Sequence, residues 1–387
     1  MLLVKGLEVR MKKFQFATVI LVVSVLGLSG FVTSTAHPQD ATPVPEETKD
    51  VTDIKDGFSG NWIAYSVVPL KDGASTTIKP GLRVKITADS YAVADATCAD
   101  PKYTIKTITK NDFLQGNTPR NSAEEFYEDQ FPLLSTDCTG VSPADLALTS
   151  YHSLTALVDD CLIFFEQDSS VTVGGVDVTT DLIFESSEKP LYEIHGQVPV
   201  VNEPSAEKLN PLLKMAVTEE LDGFKKNFTD WDIPPEMANA VSFMWVRYDA
   251  PLITSQIASF RFYVDYYMAG AAHPNHYFKV VNFDLEKGKA VTTKSLFKDL
   301  PKALTSLSKL CKASLDKPDF PLFEEGLEVK EENFKNWNLT ENGLRLSFDP
   351  YQVAPYAAGP QEVLIPYSEL HSLANTADGF GAYIAQH

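Results

Sequence analysis

The sequence predicts an α+β protein: a mostly antiparallel β half over residues 56–185, then a half over 186–374 in which helices pack on an antiparallel sheet. Three observations predict it. In the first half, apolar and polar residues alternate in short runs such as 82–86 and 103–108, separated by turn-rich breaks, which is the period of half-buried strands. After Lys189, Leu209, Leu213, Val217, Leu221, Phe224 and Phe228 recur at helical spacing on one face, so a helix there packs against a sheet. The order of strands and helices has no regular βαβ alternation and no internal repeat.

The first half opens with Gly60-Asn61-Trp62, and a Trp at a strand start commonly plugs a core. Strands are expected at 63–68, 82–86, 103–108, 155–158, 161–165, 171–173 and 182–184. Such a meander either stays open or closes into a small barrel. Gly60-x-Trp62, Cys98-Ala99-Asp100-Pro101-Lys102-Tyr103 and the later Cys161 are together similar to small lipocalin-like exported domains, and that resemblance implies the barrel.

In the second half a strand at 191–201 precedes the helix, with Ser205 as its expected N-cap. Long strands follow at 241–248 and 257–267, then one at 277–285 ending in the turn Glu286-Lys287-Gly288-Lys289. Short and long helices are expected near 295–297 and 304–315. A hairpin joins 337–339 to 344–348 across Glu341-Asn342-Gly343. A strand at 362–365, a helix at 367–373 and a tail over 375–387 complete the chain.

The N-terminus reads as an export signal. Lys12 and Lys13 precede an apolar run from Phe14 to Val32, and Ser34-Thr35-Ala36 closes it with small residues, so cleavage is expected after Ala36. The competing reading is an uncleaved anchor, since 14–33 is long enough to span a bilayer. Residues 37–55, rich in Pro, Glu, Thr and Asp, read as a flexible linker. The full chain carries −19; residues 1–36 carry +3, so the mature chain carries −22. Such a charge excludes nucleic acid as a partner and favours either plain solubility or a basic partner.

Cys98, Cys138, Cys161 and Cys311 stand in no zinc-like spacing. In an oxidising compartment four cysteines allow three full pairings. Cys98 with Cys161 is the preferred bridge, and Cys311, in a predicted helix, is left as a buried thiol.

Three ordered blocks carry a second resemblance. They are Tyr266-Tyr267-Met268-Ala269-Gly270-Ala271-Ala272-His273-Pro274-Asn275; Asn282-Phe283-Asp284-Leu285-Glu286-Lys287-Gly288-Lys289 with Leu296-Phe297; and Pro350-Tyr351-Gln352-Val353-Ala354-Pro355-Tyr356-Ala357-Ala358-Gly359 with Ile365-Pro366-Tyr367. Across about 187–372 the chain resembles the extracellular domain family of the lysozyme-sensing anti-sigma-V factor, shared with the accessory region of peptidoglycan deacetylase C. The resemblance implies a recognition module that grips lysozyme in one setting and precedes a deacetylase domain in the other. Ala269 or Ala271 stands where the family has the first Gly of its loop. No Asp-Asp metal motif with a partner His-x-x-x-His, nucleophile elbow or phosphate loop occurs in this sequence.

The candidate binding residues are Tyr266, His273, Asn275, His276, Tyr351 and Tyr356. His273-Pro274-Asn275-His276 tempts a metal or catalytic reading, but two histidines three apart need a third ligand, and Asp265, which could serve from the preceding strand, is set by alternation on the other face. The favoured reading has His273 bonding backbone in a tight turn, with Gly270 supplying an unusual φ. The acidic pairs Asp159-Asp160 and Glu124-Glu125 read as solvated faces. No metal or cofactor is expected. The expectation is therefore a periplasmic or secreted binding protein without catalytic residues, whose partner is a basic, lysozyme-like protein or peptidoglycan. The competing reading is a cell-wall-sugar hydrolase or deacetylase-related enzyme with its site near His273.

Overall fold

The computed structural model describes residues 49–50, 57–117, 128–150, 153–228, 240–317 and 320–387. The expected leader 1–36, the expected linker 37–55 apart from Lys49 and Asp50, and Glu124-Glu125 lie outside the described residues.

The alternating runs of the first half fold into one antiparallel sheet of ten strands. They are β1 (Lys49–Asp50), β2 (Gly60–Pro69), β3 (Arg83–Thr87), β4 (Ser90–Val93), β5 (Ala96–Ala99), β6 (Tyr103–Thr109), β7 (Gln130–Thr136), β8 (Asp145–Ser150), β9 (Ser153–Val158) and β10 (Cys161–Gln167). The strand order is β1-β6-β7-β8-β9-β10-β2-β3-β4-β5. β10 pairs back onto β2 as a barrel requires, but β5 and β6 do not pair. The lipocalin-like expectation is corrected to a curled, open half-barrel. Side-chain links span the gap instead. Tyr103 donates its hydroxyl to the carbonyls of Thr87 and Ser90 at 3.0 Å each, and a Cys98–Cys138 disulfide ties β5 to the segment after β7. The expected Cys98–Cys161 bridge is thereby corrected: Cys161 is a buried free thiol, placed by β10 beside Pro69 and Val158.

Because β10 is covered on both faces, six of its seven residues, Cys161 to Glu166, are buried. Ile163 and Phe165 point into the curl with Trp62, Tyr91 and Leu154. Leu162 and Phe164 point outward and pack with Tyr65, Leu182 and Phe184.

The second sheet comprises β11 (Val171–Val173), β12 (Val176–Glu188), β13 (Leu191–Val201), β14 (Ser242–Ile253), β15 (Ile257–Tyr267), β16 (Asn275–Asp284) and β17 (Lys289–Ala290), in that spatial order. Strands expected to close the first half at 171–173 and 182–184 thus belong to the second sheet, and the boundary drawn at 185 falls inside β12. The sheet is mixed, which corrects the antiparallel expectation: β13 and β14 run parallel, because the connection between them carries the helix α2 (Leu209–Lys226) and crosses over. The short α1 (Lys110–Phe113) lies earlier, after β6.

α2 buries Leu209, Leu213, Val217, Leu221 and Phe224 on the sheet, burial worth about 1.5–3 kcal/mol for each large side chain. Gly196 of β13 lets the helix approach: a Cβ there would stand 2.8 Å from Leu221 Cδ1 and 3.0 Å from Val217 Cγ1. Ser205 lies in a 3-10 turn ahead of the helix and is not its cap. Asn210 anchors that end instead, accepting from Val201 N–H at 2.9 Å and donating to Val201 O at 3.1 Å.

A third sheet, β18 (Trp337–Thr340), β19 (Gly343–Phe348) and β20 (Gln361–Ile365), shares a core with α4 (Leu300–Leu315) and α5 (Gly379–Gln386). The short α3 (Thr293–Leu296) precedes α4. The expected helix at 367–373 is a single 3-10 turn. The expected tail contains α5, because Phe380 and Ile384 are buried in the core. Asn338 fastens β18 onto β15, donating to Ser259 Oγ and Phe260 O at 3.0 Å each.

Candidate functional site

Alternation divides the residues of the second sheet between two faces. Phe260, Phe262 and Val264 of β15 face α2. Arg261, Tyr263, Asp265 and Tyr267 take the opposite face, as do Phe243, Trp245, Arg247 and Asp249 of β14, and all eight are half-buried. The strand register sets His195, Trp245, Asp265 and His276 side by side across four strands.

Rings fill this face. His195 stacks on Trp245 at 4.2 Å between centroids and 14° between planes. Arg247 Cζ lies 5.9 Å from the Trp245 and the Tyr263 rings alike, the geometry of a cation over π faces. Tyr263 lies 5.4 Å from His276, His276 lies 5.6 Å from Tyr356, and Tyr356 lies 4.0 Å from His273 and 5.6 Å from Tyr351. The loop 268–274 and the loop 349–359 therefore meet: Tyr356 donates its hydroxyl to Pro274 O at 2.6 Å.

The structure gathers four of the predicted residues, His273, His276, Tyr351 and Tyr356, in one aromatic patch. Gly270 holds φ at 88° in the loop leading to it, and His273 Nδ1 donates to Pro274 O at 2.7 Å. Asn275 donates to Tyr266 Oη at 3.0 Å, beside the patch. The Tyr266 ring belongs to the α2 face, 6.2 Å from Tyr277. Tyr351 is 56% exposed and has φ 66°. An aromatic residue held in the left-handed region carries about 1–3 kcal/mol of strain, which such loops retain at binding sites.

Sequence reasoning missed Trp245, Arg247 and Asp349, while Asp265, the candidate third ligand from the preceding strand in the sequence, stands beside His276. The signal was available for two of them, since Phe243, Trp245, Arg247 and Asp249 occupy every second position of one strand. Burial raises the pKa of Asp265 and of Asp349, while Arg247 and His276 oppose the shift at Asp265, and the Phe278 N–H, 2.8 Å from Asp349 Oδ1, opposes it at Asp349. Burial also lowers His276, against the pull of both carboxylates. The His276 Nε2 is buried without a hydrogen-bond partner. Two carboxyls thus flank an imidazole, but among the described residues no hydrogen bond from that nitrogen joins them into a proton relay.

Residues 294–368 match a family model. Its description is a protein of unknown function, DUF3298. Leu296-Phe297 and the block from Pro350 to Tyr367 fall inside the match, and the His273 loop precedes it. Over 172 residues the chain is 29% identical to the peptidoglycan-N-acetylmuramic acid deacetylase PdaC of Bacillus subtilis, covering 43% of this chain and 36% of that protein. Over 116 residues it is 27% identical to the immunogenic protein MPB64 of Mycobacterium bovis, covering 28% of this chain and 48% of that one. MPT64 of Mycobacterium tuberculosis matches with the same figures. The chain thus spans less than half the length of these curated relatives. Among solved structures, a DUF3298 family member from Bacteroides fragilis aligns with a TM-score of 0.38 and 15% identity, over 56% of this chain and 100% of that one. One from Pseudomonas aeruginosa aligns at 0.36 and 16%, over 52% and 94%. No helix of the described residues is long and apolar enough to cross a membrane.

Proposed function

We propose that this is an exported, non-enzymatic cell-envelope protein that binds a peptidoglycan glycan on the aromatic patch around Tyr356. The carrying observation is Tyr351, over half exposed and in the left-handed region, with Tyr356, His273 and His276 beside it. Sugar rings present apolar C–H faces that aromatic side chains cover, and polar edges that groups such as Asn275 can meet. The similarity to a protein named as a peptidoglycan deacetylase supports the glycan. The basic Lys12-Lys13, the apolar run and the Ser34-Thr35-Ala36 site support export to the periplasm or beyond.

Titration calorimetry with soluble peptidoglycan glycan strands tests the reading. The wild-type chain should bind, and Tyr356→Ala and Tyr351→Ala should each bind about tenfold more weakly while melting within a few degrees of wild type. Failure of the wild-type chain to bind at millimolar glycan sinks the proposal. A second reading rests on the net charge of −22 after the leader and on the resemblance to the anti-sigma-V domain: a basic, lysozyme-like protein as partner. In that case affinity for lysozyme should fall steeply between low and high salt. The competing enzyme reading requires release of acetate or reducing ends from peptidoglycan that is lost in His273→Ala.

A further inference from the structure

Three arginines lie on or beside the face opposite α2, and two are committed. Arg261 donates to both oxygens of Asp249 at 3.1 Å, to Ser347 Oγ at 3.0 Å and to Glu362. Arg345 donates to Asp249 Oδ2 at 3.0 Å. Arg247 differs. Among the described residues its guanidinium makes no hydrogen bond and no ion pair; the Trp245 and Tyr263 rings each stand 5.9 Å from Cζ. Asp265 acts on it through space from the next strand, outside ion-pair distance.

A guanidinium whose neighbours are ring faces, Tyr263 across the strand pair and Trp245 along its own strand, spends no N–H on them. Its edge carries the N–H donors, five in all, in a fork that matches the two oxygens of a carboxylate. Lysine would not do this equally well, since its ammonium is a point charge without the planar fork. The Tyr263 ring continues from Arg247 through His276 to Tyr356, so an anion held at Arg247 would belong to the same ligand that covers the aromatic patch. We infer that Arg247 is a specificity residue of this site and that the glycan it takes is an acidic one, carrying the carboxylate of a muramic acid unit, not a neutral amino sugar. This rests on the glycan reading above and narrows it. A glycan of several units seated on Tyr351 and Tyr356 and running over His276 and Tyr263 would bring a carboxylate to Arg247 and a hydroxyl or amide donor to Asp265.

Three probes separate the possibilities in calorimetry on the full chain: chitotetraose, which has no carboxylate; an N-acetylglucosamine–N-acetylmuramic acid tetrasaccharide with free lactyl carboxylates; and the same tetrasaccharide bearing stem peptides. The free-carboxylate tetrasaccharide should bind at least about tenfold more tightly than chitotetraose, the discrimination expected of a charge-assisted hydrogen bond. Arg247→Gln should erase that preference, bringing affinity for the acidic tetrasaccharide down to that for chitotetraose measured on the same variant, and Arg247→Lys should retain part of it. If the stem-peptide ligand alone is preferred, the carboxylate comes from the peptide and the muramic acid assignment is overturned. Equal affinity for chitotetraose and the acidic tetrasaccharide also overturns it, while leaving glycan binding intact. If none of the three binds, the underlying glycan reading falls as well. The comparison among ligands on the wild-type chain decides the matter even if an Arg247 variant fails to fold.

Discussion

Glu166→Ala should lower the unfolding free energy by about 3–5 kcal/mol, among the largest single losses expected in this chain. Glu166 of β10 and His195 of β13 are 1% and 2% exposed, and their side chains join the two large sheets. Glu166 Oε2 lies 2.8 Å from His195 Nδ1, and Glu166 Oε1 accepts from Gln197 Nε2 at 2.9 Å. Burial alone would strip the proton from the imidazole, but Glu166 and Glu193 outweigh it and push the His195 pKa up to about 9. Glu166 is the first of the groups that raise it and sits at hydrogen-bond distance, whereas Glu193 stands 3.9 Å from Nε2, beyond a hydrogen bond. Removing Glu166 leaves His195 Nδ1 and Gln197 Nε2 each short of a buried acceptor and forces the imidazole to give up its proton or stay charged without its anion.

The same pair sets a pH dependence. A histidine whose folded pKa lies above its unfolded value stabilises the fold below that unfolded value, near 6.5, and loses the contribution as pH rises through the folded one. Wild-type stability should therefore decline between about pH 6.5 and pH 9, by on the order of 3 kcal/mol. In His195→Gln this decline should be absent. Urea denaturation across that range measures it, and Trp245 emission gives a second signal because His195 stacks on that ring. A wild-type chain equally stable at pH 6 and pH 9.5 would contradict a charged His195.

How legible this molecule is in its sequence differs from one element to the next. β15 was readable to the residue, Ile257–Tyr267, because its aromatics alternate with small or charged residues over eleven positions. The face of α2 was readable from Leu209 to Phe224 for the analogous helical reason. β4 and β5 were not, since four-residue strands hold too few periods to show alternation. β7 carries Pro132, which argues against a central strand; the structure tolerates it because β8 pairing begins one residue later, at Leu133. The sheet boundary failed for a different reason. β12 faces the half-barrel through Leu182 and Phe184 while bonding to β13, and local periodicity does not reveal which sheet supplies a strand's partners. Tyr351 and Tyr356 were found as aromatic residues in a Pro-bounded loop. Their junction with His273 and the bare guanidinium of Arg247 depend on strand register, a long-range property. Glu166 and His195, 29 residues apart, meet only because two sheets stack.

The disulfide poses the same long-range problem, and its removal is the second large effect. Cys98→Ser with Cys138→Ser should cost about 4 kcal/mol under oxidising conditions, from freeing a 40-residue loop in the unfolded chain. The position matters beyond the loop length. The bridge stands where β5 and β6 fail to pair, so without it the open edge of the half-barrel is held mainly by Tyr103 and its two carbonyl partners. Cys161 lies elsewhere, at the β9–β10 turn, with its sulfur buried. Cys161→Ala should therefore cost only about 1 kcal/mol, the value of a small buried apolar group, and should leave the response to reductant intact. Thiol titration of the denatured, unreduced chain should find Cys161 and Cys311 free. Peptide mapping should recover Cys98 and Cys138 joined; a peptide joining Cys98 to Cys161 would show that the barrel gap is closed by some other means.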